Sequence, residues 1–229
     1  MDIFLLALAP GLAICFFIYY QDKHDPEPKK LLIISFLLGV ASILPAMLAT
    51  KGIKYFFNID HTNDAPDLDQ LYYAFMAVAL SEETAKFLVL RLYAYPKKEF
   101  DEPFDGITYS VMVSMGFATI ENFLYLYYDQ GLSTGIHRMF TAIPGHASFA
   151  VVMGYYVGLS KFSHKNYPQW IGLFAAIFLH GLYDACLFLR HYPVMVIIAL
   201  LIVAISIFYS FKAIRLHQHN SPFNKRDSI

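Results

Sequence analysis

Two glutamates and a lysine, Glu82, Glu83 and Lys86, interrupt residues 70–91, a run otherwise apolar enough to cross a bilayer. Its flanks read LYYAFMAVAL before the charges and FLVL after them. An ionisable side chain at the centre of a bilayer costs ~3 kcal/mol or more. Such residues need partners, water or a task, and the remaining chain has to supply them. A large soluble core is not their setting, because the chain is 57% hydrophobic and only 15% charged, against about 25% charged in an average soluble domain. Its 17 tyrosines and 21 phenylalanines suit lipid-facing surfaces and interface belts. Cys15 and Cys186 both fall in apolar runs, so neither a disulfide framework nor a CxxC metal site is implied. A net charge of -1 without a basic run gives no reason to expect nucleic acid as a partner.

Taken in order, the apolar runs predict an all-α polytopic membrane protein of seven spans, within a range of six to eight. They cover about 2–20, 31–50, 70–91, 105–128, 138–160, 169–190 and 193–211, each near the ~20 residues that a bilayer requires. The first begins Met1-Asp2 rather than with a positive segment, so it reads as a span and not as a secretory signal. Pro26 and Pro28 make 21–30 an extended loop, and Pro45 predicts a kink in the second span. An acidic loop with Asp60, Asp64, Asp67 and Asp69 follows. Residues 1–211 form one membrane domain, and 212–229 a polar tail that frays. Lys and Arg divide 12 to 4 between alternate sets of loops. That bias places the N-terminus outside and the C-terminus in the cytoplasm.

Other polar residues occur inside the spans: Glu121 in the fourth, His146 in the fifth, and His180 with Asp184 in the sixth. Glu82 and Lys86 are four apart, as are His180 and Asp184, so each pair stacks on one helix face. The predicted directions put Glu82 and His180 near mid-depth and Glu121, His146 and Asp184 further out. Four helices thus offer acids and imidazoles at overlapping depths. Taken singly, each residue is explained equally well by a hydrogen bond to a neighbouring helix. A carboxylate one turn from an imidazole, however, is a usual means of orienting it. His24, His61, His164, His191, His217 and His219 fall in loops or the tail and read as solvated, as does His137 at a membrane edge. Gly145, Gly154, Gly158 and Gly172 read as sites of close helix packing.

A glutamate in an apolar pocket beside a lysine can serve as a general base near neutral pH. With imidazoles or other donors for the oxyanion, that is equipment for amide hydrolysis by direct attack of water. No serine has a GxSxG setting and no HExxH occurs. Glu82, Glu121, His146 and His180 nevertheless contain donors suited to zinc, so a metal-free base and a zinc-bound hydroxide both stand. A proton-coupled transporter or channel also carries carboxylates and histidines in its helices, although no internal repeat is visible. A catalytically silent scaffold is the third reading.

Glu82-Glu83-x-x-Lys86, Phe117-x-x-x-Glu121 and His180-x-x-x-Asp184, in this order over successive spans, resemble the PrsW family of intramembrane proteases, relatives of the CAAX-processing endopeptidases and of bacteriocin-processing membrane proteins. The likeness extends to Asp25-Pro26-Glu27-Pro28, Phe104-Asp105-Gly106-Ile107, Gly116-Phe117-Ala118-Thr119 and Pro144-x-His146. The resemblance implies cleavage of a single-span membrane protein, in the best-known case first-site cleavage of an anti-sigma factor in the bacterial cell membrane. Glu82 would activate water, with no cofactor required. Glu83 would be held by Lys86, and His146 and His180 would donate to the oxyanion or bind a metal. Glu121 and Asp184 stand where CAAX enzymes carry histidine and asparagine, so the roles of those two do not transfer from that branch.

Overall fold

The computed structural model describes residues 3–62, 65–129 and 132–224; Asp64, Lys225 and Arg226 lie outside the described residues. Every regular element among them is helical: α1 (Ile3–Gln21), α2 (Lys29–Ala41), α3 (Ile43–Phe56), α4 (Asp67–Tyr72), α5 (Leu80–Val89), α6 (Pro103–Asp129), α7 (Leu132–Phe140), α8 (Ala142–Phe162), α9 (Tyr167–Phe188) and α10 (Pro193–His219). Two π-helical stretches, Tyr73–Ala79 and Leu90–Ala94, flank α5 and join it to its neighbours. Among the described residues, four helical runs are long and apolar enough to cross a membrane: Lys29–Phe56, Leu132–Phe162, Tyr167–Phe188 and Pro193–His219. Leu5–Gln21 is a shorter apolar helix.

The breaks follow from proline chemistry. Pro45 has no N–H to donate to Ala41, and α2 gives way to α3 at Ser42, whose hydroxyl donates to Gly39 O at 2.7 Å. Pro144 does the same to Phe140, so the expected fifth span divides into α7 and α8 at Thr141.

Helix α6 occupies the middle, against α1, α2 and α8, and α8 in turn packs on α9 and α10. From Phe104 to Ala118 almost every α6 residue is buried. Glycines let these helices approach closely: a Cβ on Gly154 would strike the carbonyl oxygen of Gly106, and one on Gly158 that of Pro103. Gly172 is similarly crowded by Met153 and Tyr156, whereas a Cβ on Gly145 would meet only ordinary contacts at 3.6 Å. Three of the four glycines read as packing sites therefore act as such, and Gly145 does not.

The stretch after residue 211 departs from the expected frayed tail. Helix α10 continues to His219, with Ser210, Ile214 and His217 buried along one face. His217 is thus not solvated: its Nδ1 lies 2.9 Å from Pro103 O, at the start of α6. A histidine at helical spacing below an apolar face reads as surface in a polar stretch, and only its distant partner reveals otherwise.

Candidate active site

Helix α5, bracketed by the two π-helical stretches, presents its charges inward. A π stretch adds a residue to the turn and changes the direction of the side chains that follow. Ser81, Glu83, Ala85, Lys86 and Phe87 are all buried there. Lys86 Nζ lies 2.8 Å from Glu83 Oε1 and 3.5 Å from Glu82 Oε2. It also donates across to His146 Nδ1 of α8 at 3.2 Å and sits 4.2 Å from the ring centre of Phe117 on α6. Because an ammonium group can only donate, His146 Nδ1 accepts and its Nε2–H donates to Glu121 Oε2 of α6 at 2.9 Å. The carbonyl of His146 is held in turn by Ser114 Oγ at 3.0 Å.

His180 of α9 completes the group. Its Nδ1 lies 2.8 Å from Glu83 Oε1, and its Nε2 lies 3.3 Å from Asp184 Oδ2 and 4.0 Å from Glu82 Oε2. Both ring nitrogens face carboxylate oxygens, so each is placed to donate. The His146 and His180 rings meet edge-on, with centroids 5.0 Å apart, and Phe149 stacks on His180. All seven residues singled out in the sequence, Glu82, Glu83, Lys86, Glu121, His146, His180 and Asp184, thus belong to one connected network carried by α5, α6, α8 and α9.

Exposure divides the network into a floor and a mouth. The side chains of Glu83, Lys86, His146 and His180 are at most 5% exposed, whereas those of Glu82, Glu121 and Asp184 are 12–15% exposed. The two adjacent glutamates consequently differ. Glu83 is pinned by two contacts at 2.8 Å, while Glu82 has only the contacts at 3.5 and 4.0 Å and faces the mouth.

One member escaped the sequence reading. Arg138, counted there as a loop cation, reaches from α7 so that its Nη2 lies 2.8 Å from Glu121 Oε2, an ion pair off the hydrogen-bond direction. A sequence signal for it existed in the charge balance, since four acids set against Lys86 alone call for another cation. Ser114, Phe117 and Glu121 share one face of α6 at i, i+3 and i+7, a spacing visible beforehand.

Glu82, His146 and His180 each offer a ligand atom within 4.8 Å of the others. This is a His2Glu donor set with a carboxylate on the far nitrogen of each imidazole, Glu121 on His146 Nε2 and Glu83 on His180 Nδ1, as in zinc sites whose histidines are oriented from outside. Four carboxylates against the permanent charges of Lys86 and Arg138 also leave negative charge for a dication. The residues therefore fit a divalent metal once the Lys86 ammonium, 3.2 Å from His146 Nδ1, yields its contact and His180 Nε2 gives up its proton and its contact with Asp184. Glu121 falls outside the trio.

Residues 27–210 match the family model described as PrsW family intramembrane metalloprotease. Among curated proteins, the Protease PrsW of Geobacillus kaustophilus is 39% identical over 179 residues, covering 77% of this chain and 76% of that one. The Protease PrsW of Bacillus subtilis is 34% identical over 77% of this chain and 78% of its own length. That of Clostridioides difficile is 34% identical over 96% of this chain and 92% of its own. No solved structure matches the chain.

Proposed function

The chain belongs to the PrsW family of intramembrane proteases, and on that premise we propose that it is an endopeptidase that cleaves a single-span membrane protein by attack of a water activated at Glu82. The observation that carries this reading is the asymmetry of the two adjacent glutamates, one locked by Lys86 and His180 and the other turned to the mouth. In the reaction Glu82 takes a proton from water, whose oxygen bonds to the scissile carbonyl carbon. An imidazole N–H supports the resulting oxyanion. The C–N bond then breaks as Glu82 returns the proton to the leaving amine. Glu83 and Lys86 hold the local field constant, Glu121 orients His146, and Asp184 orients His180.

The proton transfer uses only the chain's own residues. Were zinc held by Glu82, His146 and His180, it would add Lewis-acid polarisation and acidify the water. If the chain spans seven times with its N-terminus outside, as the sequence predicts, this site lies in the outer half of a bacterial cell membrane. Family likeness makes an anti-sigma factor the first substrate to try.

Glu82→Gln keeps the shape of the side chain and removes the base. In proteoliposomes with a single-span test substrate, turnover should fall at least ~10³-fold while thermal unfolding stays near wild type. Undiminished turnover would sink the proposal. Metal analysis with chelation in the same preparation decides the cofactor: loss on chelation restored by zinc makes the enzyme zinc-dependent.

A further inference from the structure

We propose that Arg138 is a positioning residue that fixes Glu121 and, through it, the imidazole of His146. The role assigned rests on the proteolytic reading above, but the geometry does not. Arg138 makes three separate contacts with α6: Nη2 to Glu121 at 2.8 Å, Nε donating to Asn122 Oδ1 at 3.1 Å, and the guanidinium 3.9 Å from the ring centre of Tyr125. The Glu121 oxygen that faces the guanidinium also accepts from His146 Nε2 at 2.9 Å. A single carboxylate oxygen thus bridges a permanent cation and a catalytic imidazole, and the opposite ring nitrogen meets Lys86. With a cation at each end, the His146 ring has one orientation and one tautomer available.

The planar fork suits this task better than an ammonium group would. It can pair with a carboxylate, donate to an amide and stack on a ring at once, whereas lysine supplies only a point charge. Arg138 stands on a nine-residue helix that stops at Thr141 and that also packs Gly135 against Leu6 and Leu126. Its guanidinium fastens α7 to the helix that carries Glu121. Leaving the largely buried Glu121 without this cation would free the carboxylate to turn from His146.

The test uses the full chain in detergent micelles. Histidine side-chain ¹⁵N NMR, with the His146 signal assigned by its loss in His146→Gln, reads the ring without any need for activity. In Arg138→Gln the His146 signal should shift, and in Arg138→Lys it should return toward its wild-type position. The kcat of Arg138→Gln should fall about 30–100-fold with KM within about threefold, and Arg138→Lys should recover about tenfold of that. Combining Arg138→Gln with Glu121→Gln should be no worse than Glu121→Gln alone, because both act through one contact. An unmoved His146 signal, or losses that multiply in the double variant, would overturn the proposal. Should Arg138→Gln not fold, Asn122→Ala loosens the guanidinium at constant charge: about a fivefold lower kcat at unchanged KM supports the role, and wild-type kcat refutes it. An active Glu82→Gln protein would remove the proteolytic reading and leave the ring measurement standing. A dead Glu82→Gln protein with an unmoved His146 signal would remove only the role of Arg138.

Discussion

Glu82, Glu83, Glu121 and Asp184 at one end of the bundle, and Asp22, Glu27, Glu102 and Asp105 at the other, are both groups of four largely buried acids, yet their neighbours differ. The first group is interleaved with Lys86, Arg138, His146 and His180. The second is held by neutral donors. Asp22 accepts from Glu27 N at 3.3 Å, Asp105 accepts from the N–H groups of Asp101 and Glu102 at 2.8 Å, and the Tyr109 hydroxyl donates to Glu27. Asp105 there closes the first turn of α6 as a capping residue. Among the described residues no lysine or arginine forms an ion pair with these four acids; Lys161 donates to the Tyr95 and Lys97 carbonyls instead. One oxygen on each of the four has no hydrogen-bond partner. Acids interleaved with cations and imidazoles have partners with which a proton can be exchanged. Acids matched with amides and a phenol serve to fasten loops to helix ends.

The sharpest way to break this contrast is to remove the cation at the first group's centre. Lys86→Met leaves two buried glutamates facing each other and should abolish measurable turnover. Stability should drop by about 3–5 kcal/mol, the usual result of orphaning a buried charge, read as a lower apparent Tm in detergent at fixed scan rate. If that variant retained wild-type activity, the lysine would be packing rather than part of the charge system. The second group contains no such keystone, and no single change within it should touch kcat.

Much of this arrangement is legible in the sequence. Glu82, Glu83, Lys86, Glu121, His146, His180 and Asp184 announce themselves because charge in an apolar run is rare, and i, i+4 spacing places Glu82 with Lys86 and His180 with Asp184 on one face. What stayed hidden depends on partners far apart in the chain. Arg138 looked like an ordinary loop cation, since Glu121 lies on another helix and no spacing rule connects the two. His217 looked solvated for the same reason, its partner being the Pro103 carbonyl. The π-helical stretches flanking α5 have no residue signature comparable to a proline, whereas the breaks at Ser42 and Thr141 each had one. The second acid group was visible only as parts, Asp25-Pro26-Glu27-Pro28 and Phe104-Asp105-Gly106-Ile107, which the folded chain brings together.

Proton linkage separates the groups next. Burial pushes the carboxyls of Asp22 and Glu27, both in the loop between α1 and α2, up to about 7, and Glu102 is raised as well. A carboxyl whose pKa is raised on folding stabilises the native state fully below its unfolded value, near 3.8 for Asp22. That contribution is lost as pH rises toward about 7. Asp22→Asn keeps an oxygen to accept from Glu27 N and cannot ionise. Its apparent Tm should therefore match wild type near pH 4 and exceed it above pH 7, by the equivalent of about 2 kcal/mol, with kcat unchanged. A difference that stays flat with pH would mean that Asp22 is solvated and that the second group is not a neutral fastening.

The smallest effect should come from Tyr109→Phe. Tyr109 is fully buried, so the ring keeps its packing and only the hydroxyl that donates to Glu27 is lost. Deleting one donor to a buried acceptor costs about 1–2 kcal/mol, a fall of several degrees in apparent Tm for a chain of this size. Tyr109 stands 12 residues from Glu121 on α6, about 18 Å along the axis, and no described contact links it to the network around Glu82. Turnover at saturating substrate should accordingly stay within twofold of wild type. A loss of kcat beyond about tenfold, with the Tm unchanged, would show that the second group communicates with the first along α6, and the division between a reactive cluster and a fastening one would fail.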